Sequence, residues 1–282
     1  MPWNDRVLQS RWTRGALLVL PCVFASHAAW AQQSPALDRV SLWVGGYYAN
    51  MGTDISANAS AQGHAAAGDV NLEHDLGFQR HKVTPRVRLD FLLGDSQGFS
   101  FDYYELNRTR TKTLSTDLDY DGNSYLASAS VSGKLDFEFG SAAYRWWFGS
   151  GSDVFGVGLG GAWYGVHAGI SGEAALNGES AEASSSTSET AWAPMLQLGW
   201  RHAFNDQVRM YVDVSGVKKN GGRLSGHIYN AALGFEWLPW QHIGLGAEYG
   251  YTRIRLDQHK QNYNASLDMK LTGPSLFLRV RF

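Results

Sequence analysis

Cysteine is almost missing from this 282-residue chain: Cys22 is its only one. The residues around it explain its isolation. Arg6, Arg11 and Arg14 make a positive start, residues 15–25 make a short apolar core, and "AWA" at 29–31 puts small residues where a signal peptidase reads. The apolar run is too short to cross a bilayer as a helix. The reading is a cleaved secretory signal over residues 1–31, followed by one domain over residues 32–282. A lipoprotein reading would make Cys22 the lipidated residue, but Pro21 stands where a small residue is wanted. Without the signal the chain has no cysteine, which excludes a disulfide framework, thiolate catalysis and a cysteine metal site.

An excess of positive charge is missing too. The signal takes three of 24 basic and one of 26 acidic residues, leaving 21 against 25 and a net charge of −4. That is no footprint for nucleic acid. Long apolar runs are absent after the signal, helical periodicity is hard to find, and mean hydropathy is −0.27. What is plentiful is glycine (32) and aromatic surface, with 11 Trp, 13 Tyr and 13 Phe.

Period-two alternation fills the gap. Ten segments carry it: residues 40–51, 83–93, 98–111, roughly 125–148, 154–172, 190–204, 208–218, 223–238, 242–257 and 263–282. Such segments argue strands. The connections alternate in length. "GDSQ", "GSGSD", "FNDQ" and "LPWQ" are tight turns, whereas residues 52–82, 112–124, 172–189, 219–222 and 258–262 are longer or more polar links. Short turns on one rim and long loops on the other predict an all-β fold, a transmembrane antiparallel up-and-down β-barrel of about ten strands. Both termini then fall on the short-turn side, and the serine-rich "AEASSSTSET" is an outward loop. Eight or twelve strands are the alternatives, because residues 52–82 have room for a further hairpin.

The two faces of each strand differ. Val83, Val87, Leu89, Phe91 and Leu93 share one face against Arg86, Arg88 and Asp90. Val208, Met210, Val212 and Val214 oppose Arg209, Tyr211, Asp213 and Ser215. With no helix to cover ten apolar faces, a closed barrel in lipid is the arrangement that leaves neither face nor edge uncovered. Trp146, Trp147, Phe148, Phe155, Trp200, Phe204, Trp237 and Trp240 lie near the short turns. Tyr47, Tyr48, Tyr103, Tyr104, Trp163, Tyr164, Trp192 and Tyr229 lie nearer the long loops. Two aromatic girdles are expected. Pro85, Pro194 and Pro274 fall inside strands and call for bulges or ragged pairing. The parity of Leu135, Phe137 and Phe139 disagrees with that of Tyr144, Trp146 and Phe148, so a bulge is expected near Gly140.

The chain ends on "SLFLRVRF", an alternating strand with a terminal Phe. Signal, alternating strands, girdles and this ending together resemble Gram-negative outer-membrane β-barrel proteins. "VNLEHDLGF" (residues 70–78) and "GPSLFLRVRF" (273–282) resemble largely uncharacterised proteobacterial members near the small OmpA/OmpW-type barrels. The resemblance implies residence in the bacterial outer membrane, with termini periplasmic and long loops extracellular. It implies contact with outer-membrane lipid and lipopolysaccharide. It also implies that Leu276, Leu278, Val280 and Phe282 form the signal read by the barrel-assembly machinery. It brings no catalytic motif, and oligomeric state stays open.

Catalytic and metal chemistry find little purchase. Omptin-type proteases resemble ten-stranded barrels with paired acids and an Asp–His pair near the outer rim; here "EHD" (73–75) is the nearest sequence and lies in a loop. A surface hydrolase acting on lipid or peptide would want Ser and His on one face with an orienting group. Ser225 and His227 share a face, but it is the face predicted to meet lipid, and Asn230 lies opposite. His64, His74 and His81, with Glu73 and Asp75, do not have ligand spacing. No catalytic site, cofactor or metal is therefore assigned. The informative surface is the lumen: Arg86, Arg88, Asp90, Asp102, Asp136, Glu138, Arg201, Arg209, Asp213, Glu236, Glu248, Arg279 and Arg281 are predicted to point inward. They make either an ion-pair plug or the lining of a narrow porin-like channel. Ten strands lie near the filled end of the barrel size range. The expected function is that of a non-enzymatic outer-membrane barrel, structural or narrowly conducting, with exposed outer loops.

Overall fold

The structure is a computed structural model that describes residues 34–282 except 62, 63, 114–117, 121, 122, 126–129, 177, 178, 223, 261 and 262. The expected signal, residues 1–31, lies outside the described residues. The strands are β1 (Val40–Ala61), β2 (His64–Asn71), β3 (His81–Leu92), β4 (Gln97–Thr113), β5 (Leu118–Tyr120), β6 (Asn123–Tyr125), β7 (Ser130–Phe148), β8 (Asp153–Leu176), β9 (Glu179–Ala203), β10 (Val208–Lys219), β11 (Leu224–Trp237), β12 (Ile243–Lys260) and β13 (Tyr263–Arg281). Ten of them, all but β2, β5 and β6, form a closed antiparallel ring in which β1 pairs with both β3 and β13. Closure removes the edges that an alternating sheet would otherwise expose. The chain end is part of that closure, since Phe282 N donates to Val40 O at 2.9 Å and Val40 N to Phe282 O at 3.1 Å.

The strands are longer than a bilayer needs. β1, β8 and β9 run 22, 24 and 25 residues, where a tilted crossing takes about 9–11. Two segments expected as loops are the outer parts of these strands. "AEASSSTSET" belongs to β9, where Thr190 pairs with Gly165 and Ala181 with Ala174 of β8. Within 52–82, the outer half of β1 turns back into β2, pairing Asp54 with Asn71 and Ala61 with His64. That hairpin lies beside the ring and adds nothing to its count of ten. The fourth predicted segment starts at Ser130 rather than 125.

The three prolines sit where a ladder stops. The β3–β4 ladder ends at Arg86↔Tyr104, next to Pro85. The β9–β10 ladder ends at Met195↔Val217, next to Pro194. The β1–β13 ladder skips from Tyr47↔Ser275 to Asn50↔Thr272, leaving Pro274 without a β1 partner. Each proline stays paired on its other side, to Gly46, Gly161 and Tyr249 respectively. A residue without an N–H is tolerated there because only one neighbour has to do without it. Beyond the β3–β4 and β9–β10 seams the ring opens into two walls, β11–β12–β13–β1 and β4–β7–β8–β9.

No bulge occurs at Gly140. Its register runs unbroken against both β4 and β8, Tyr103↔Gly140↔Trp163. Leu135, Phe137 and Phe139 share the inward face with Ala143, Arg145 and Trp147, and are fully buried. Asp136 and Glu138, predicted to point into the lumen, are on the outer face; Asp136 pairs with Lys134 at 2.9 Å. The conflict in parity was real, but its cause is a change of surroundings along the strand. Below Gly140 the exterior carries Tyr144, Trp146 and Phe148 and the interior Arg145; above it the exterior carries charge and the interior carries Leu and Phe.

The same switch occurs on the other strands. On β13 the exterior runs Asp268, Lys270, then Pro274, Leu276, Leu278, while the interior runs Leu267, Met269, Leu271, then Ser275, Arg279. On β12 the exterior runs Leu245, Tyr249, then Arg253, Arg255, and the interior Glu248, then Ile254, Leu256. Where lipid is outside, the exterior must be apolar and polar groups turn inward; where water is outside, the ordinary soluble rule returns. Exposed Tyr48, Tyr103, Trp192 and Tyr229 lie at the upper edge of the apolar band, and Phe148, Phe155, Phe204, Trp237 and Trp240 at the lower. Tyr47, Tyr104, Tyr164 and Trp147, counted toward the girdles by position alone, are buried inside.

Candidate functional site

The lumen within the apolar band is the place where chemistry-bearing residues converge. Asp213 on β10 takes three guanidiniums: Arg201 Nη2 at 2.8 Å, Arg88 Nη1 at 3.2 Å and Arg145 Nη1 at 3.5 Å. Glu248 on β12 accepts from Arg86 Nη1 at 2.9 Å and from the Tyr211 hydroxyl at 2.7 Å. Arg86 also grips Asp102 through Nε at 2.9 Å and Nη2 at 2.5 Å. Arg145 Nε donates to Gln197 Oε1 at 2.5 Å. The planar guanidinium suits this role because its fork can serve several oxygens and stack at the same time. Arg88 and Arg279 lie 5.0 and 4.6 Å from the Trp43 ring centre, and Arg201 lies 4.9 Å from that of Tyr211.

Small residues opposite the rings make this density possible. A Cβ at Gly156 would come within 2.7 Å of the Trp147 ring, and one at Gly199 within 3.0 Å. Trp147 therefore lies flat across the inner surfaces of β8 and β9, where only glycine leaves room.

At the short-turn end, residues 34–39 fold inward ahead of β1. Ser34 Oγ donates to Gly151 O at 2.6 Å, and Ala36 is buried with Trp147, Val154 and Ala203. Asp38 on this segment accepts from Arg279 Nη2 at 2.5 Å and Arg209 Nη1 at 2.8 Å, with Arg281 Nη1 at 3.4 Å. Arg279 also bonds Glu236. Burial alone would raise the Asp38 carboxyl, but Arg279, Arg209 and Arg281 hold it below the usual carboxylate range.

Among the residues predicted for the lumen, Arg86, Arg88, Asp102, Arg201, Asp213 and Glu248 meet in one network, and Arg209, Glu236, Arg279 and Arg281 meet around Asp38. Asp90 lies on the same inner face of β3. Asp136 and Glu138 stand apart, outside. Three participants escaped the sequence reading. Asp38 precedes the first strand, so no alternation points to it. Arg145 was hidden by the supposed bulge, although unbroken parity from Phe139 places it inside. Arg108 shares parity with Asp102 and Tyr104 and was legible; it pairs with Glu73 at 2.7 Å, both almost fully buried.

The lumen charges nearly balance: Arg86, Arg88, Arg145, Arg201, Arg209, Arg279 and Arg281 against Asp38, Asp90, Asp102, Asp213, Glu236 and Glu248. The polar cavity among them measures about 50 Å³, room for a few waters and no more. Above it Leu106, Leu135, Phe137, Ile228, Ile254, Met269 and Leu271 fill the space between the two walls. The turn at residues 72–80 closes over them, inserting Leu76 and Phe78 and pinned by Glu73 Oε2, which accepts from Thr53 N at 2.8 Å.

The remaining candidates do not assemble. Ser225 Oγ donates to Asp257 O at 3.5 Å, and the His227 ring packs on Tyr229 on the outer face of β11. His74 Nδ1 lies 2.6 Å from Asp75 Oδ1, whereas His81 stacks on Tyr48. Among the described residues no three His, Cys, Asp or Glu side chains converge as a metal site.

No protein-family description and no curated protein matches this chain. Solved structures do. The outer membrane protease OmpT from Escherichia coli superposes with a TM-score of 0.52 at 8% identity, covering 86% of this chain and 96% of that one. The outer membrane protein OprG from Pseudomonas aeruginosa gives a TM-score of 0.38 at 10% identity, covering 89% and 99%. The translocator domain of the autotransporter NalP from Neisseria meningitidis gives 0.41 at 14% identity, covering 86% and 87%. At such identity the OmpT likeness bears on the fold alone: the chain folds as an outer-membrane-type β-barrel.

Proposed function

We propose that the mature chain is a sealed, non-enzymatic outer-membrane barrel whose working surface is its outer end, with termini periplasmic and the long hairpins extracellular. The observation that carries this reading is closure of the lumen at three levels. These are the inward-folded residues 34–39, the Asp213 and Glu248 networks, and the apolar layer under residues 72–80. A solute would have to break buried ion pairs and then cross a packed hydrocarbon layer. Residues 1–31 act as the export signal in this reading. The terminal Leu276, Leu278, Val280 and Phe282, all facing outward, are presented to the assembly machinery.

Planar-bilayer recording tests the proposal. Purified protein is expected to insert without stable conductance steps. Reproducible ohmic steps from folded protein would overturn it and favour the porin-like alternative.

A second reading, a surface hydrolase, has one observation in its favour: the exposed His74–Asp75 pair at the outer end. Turnover of peptide or lipid substrates by the wild type that is lost in His74→Ala would establish it. No turnover by the wild type would remove it.

A further inference from the structure

The seam between β3 and β4 opens just above the apolar band, and the opening is lined with cations. Pairing stops at Arg86↔Tyr104; β4 continues to Thr113, while β3 runs on to His81 paired with β1 but no longer with β4. Across the gap Lys82 Nζ donates to Asn107 O, so a side chain stands in for the missing ladder. The resulting notch has a volume of about 430 Å³ and is bounded by Tyr48, Phe78, His81, Lys82, Arg108 and Arg110. Lower down, exposed Val83 and Tyr48 are the last apolar residues of their strands' outer faces. Immediately above come Arg80, His81 and Lys82, all exposed.

The charges here are not matched by acids. Arg108 is taken by Glu73 beneath the notch. Glu105, on the outer face of β4, accepts from Asn107 and from Tyr103. Among the described residues Arg80, Lys82 and Arg110 make no ion pair. On β12 at this height Arg253 and Arg255 share Asp268 at 3.0 and 2.8 Å, and on β13 Lys270 rests over the Tyr251 ring. Unpaired cations one residue above an apolar surface fit a ligand that is anionic at its head and hydrocarbon below. A soluble anion would make no use of Val83 and Tyr48.

We propose that this notch binds the phosphorylated head group of a glycolipid in the surrounding outer leaflet, with its acyl chains lying along Val83, Val87 and Tyr48. Lys82 and Arg110 on the wall of the notch, with exposed Arg80 between its wall residues Gln79 and His81, supply charge-assisted hydrogen bonds to phosphate, and the Tyr48–His81 stack, 5.4 Å between ring centres, forms one wall. The inference rests on the outer-membrane placement proposed above but not on whether the lumen conducts.

The test is native mass spectrometry of the folded protein in non-ionic micelles, titrated with bisphosphorylated lipid A. Wild type is expected to retain the lipid. Arg80→Glu combined with Arg110→Glu should weaken retention at least about tenfold, on the scale of two lost charge-assisted contacts, and so should enzymatic dephosphorylation of the lipid. Arg253→Gln, on β12 and three strands round the ring from β3, should leave retention unchanged. Heat-dependent gel mobility reports whether each variant is folded; if the double variant is not, Arg110→Gln and the dephosphorylated lipid carry the comparison. Retention by the double variant within about twofold of wild type, or equal retention of dephosphorylated lipid, would overturn the proposal. Displacement by inorganic phosphate would reassign the notch to a soluble anion.

Discussion

Asp213 shows how a single carboxylate can hold a lumen together. Three guanidiniums from three strands, β3, β7 and β9, converge on it, and each is buried. A buried ion pair adds little stability compared with a well-packed apolar pair, yet removing one partner leaves the other charges without compensation. Asp213→Ala is therefore expected to destabilise the barrel by about 3–5 kcal/mol, read from the shift of the urea unfolding midpoint in lipid vesicles. A loss below about 1 kcal/mol would mean that lumen water solvates the guanidiniums. Glycine acts at the same scale. A Cβ at Gly234 would fall 2.2 Å from the Tyr211 ring, and the Tyr211 hydroxyl serves Glu248. Gly234→Ala should cost about 1–3 kcal/mol by overpacking, measured in the same unfolding experiment.

Among the elements, the segment at residues 34–39 is the one whose position depends most on charge. It forms no strand, and its hold on the barrel is Asp38 with three arginines, the Ser34–Gly151 and Leu92–Arg39 bonds, and the buried Ala36. Because the folded Asp38 carboxyl lies below its ordinary value, its contribution is fully present above the unfolded pKa of about 3.9. That contribution is lost as pH falls through the lower folded value. Protection of residues 34–39 from hydrogen exchange, taken relative to the intrinsic rate at each pH, should accordingly be flat through neutral and mildly acid pH and fall only below the carboxylate range. Asp38→Asn should bring that loss of protection to neutral pH. Fast exchange in the wild type at neutral pH would show that the segment is not a plug. β3 is the other element with a special role: short, and ended on its β4 side by Pro85, it leaves the notch that the longer β4 cannot close.

At the scale of the whole molecule, the exterior and interior exchange polarity at one level. This divides each long strand into a part that obeys bilayer rules and a part that obeys the rules of soluble proteins. The division predicts opposite tolerances on one outer surface. Leu198→Arg, within the band, should cost about 2–4 kcal/mol, while Asp136→Ala, above it, should stay within about 1 kcal/mol because its Lys134 pair is exposed. Refolding equilibria in vesicles measure both. Comparable costs at the two positions would contradict the placement of the band.

The sequence by itself determined the strands, their antiparallel order and closure, because alternation with period two is a local property and tight turns mark every second connection. It also determined that Arg86, Arg88, Arg201, Asp213 and Glu248 share faces opposite to apolar residues. It did not determine which side of the sheet those faces look toward beyond the membrane. Leu135 and Phe137 read as lipid-facing and are the inner core, while Asp136 and Glu138 read as lumen charges and are outside. Alternation separates two faces but cannot say when the solvent against one of them changes from lipid to water, and that depends on how far each strand rises above its neighbours. Asp38 and the β3–β4 notch were likewise decided only by the tertiary structure. One enters from a segment with no periodicity, and the other comes from two strands of unequal length brought side by side.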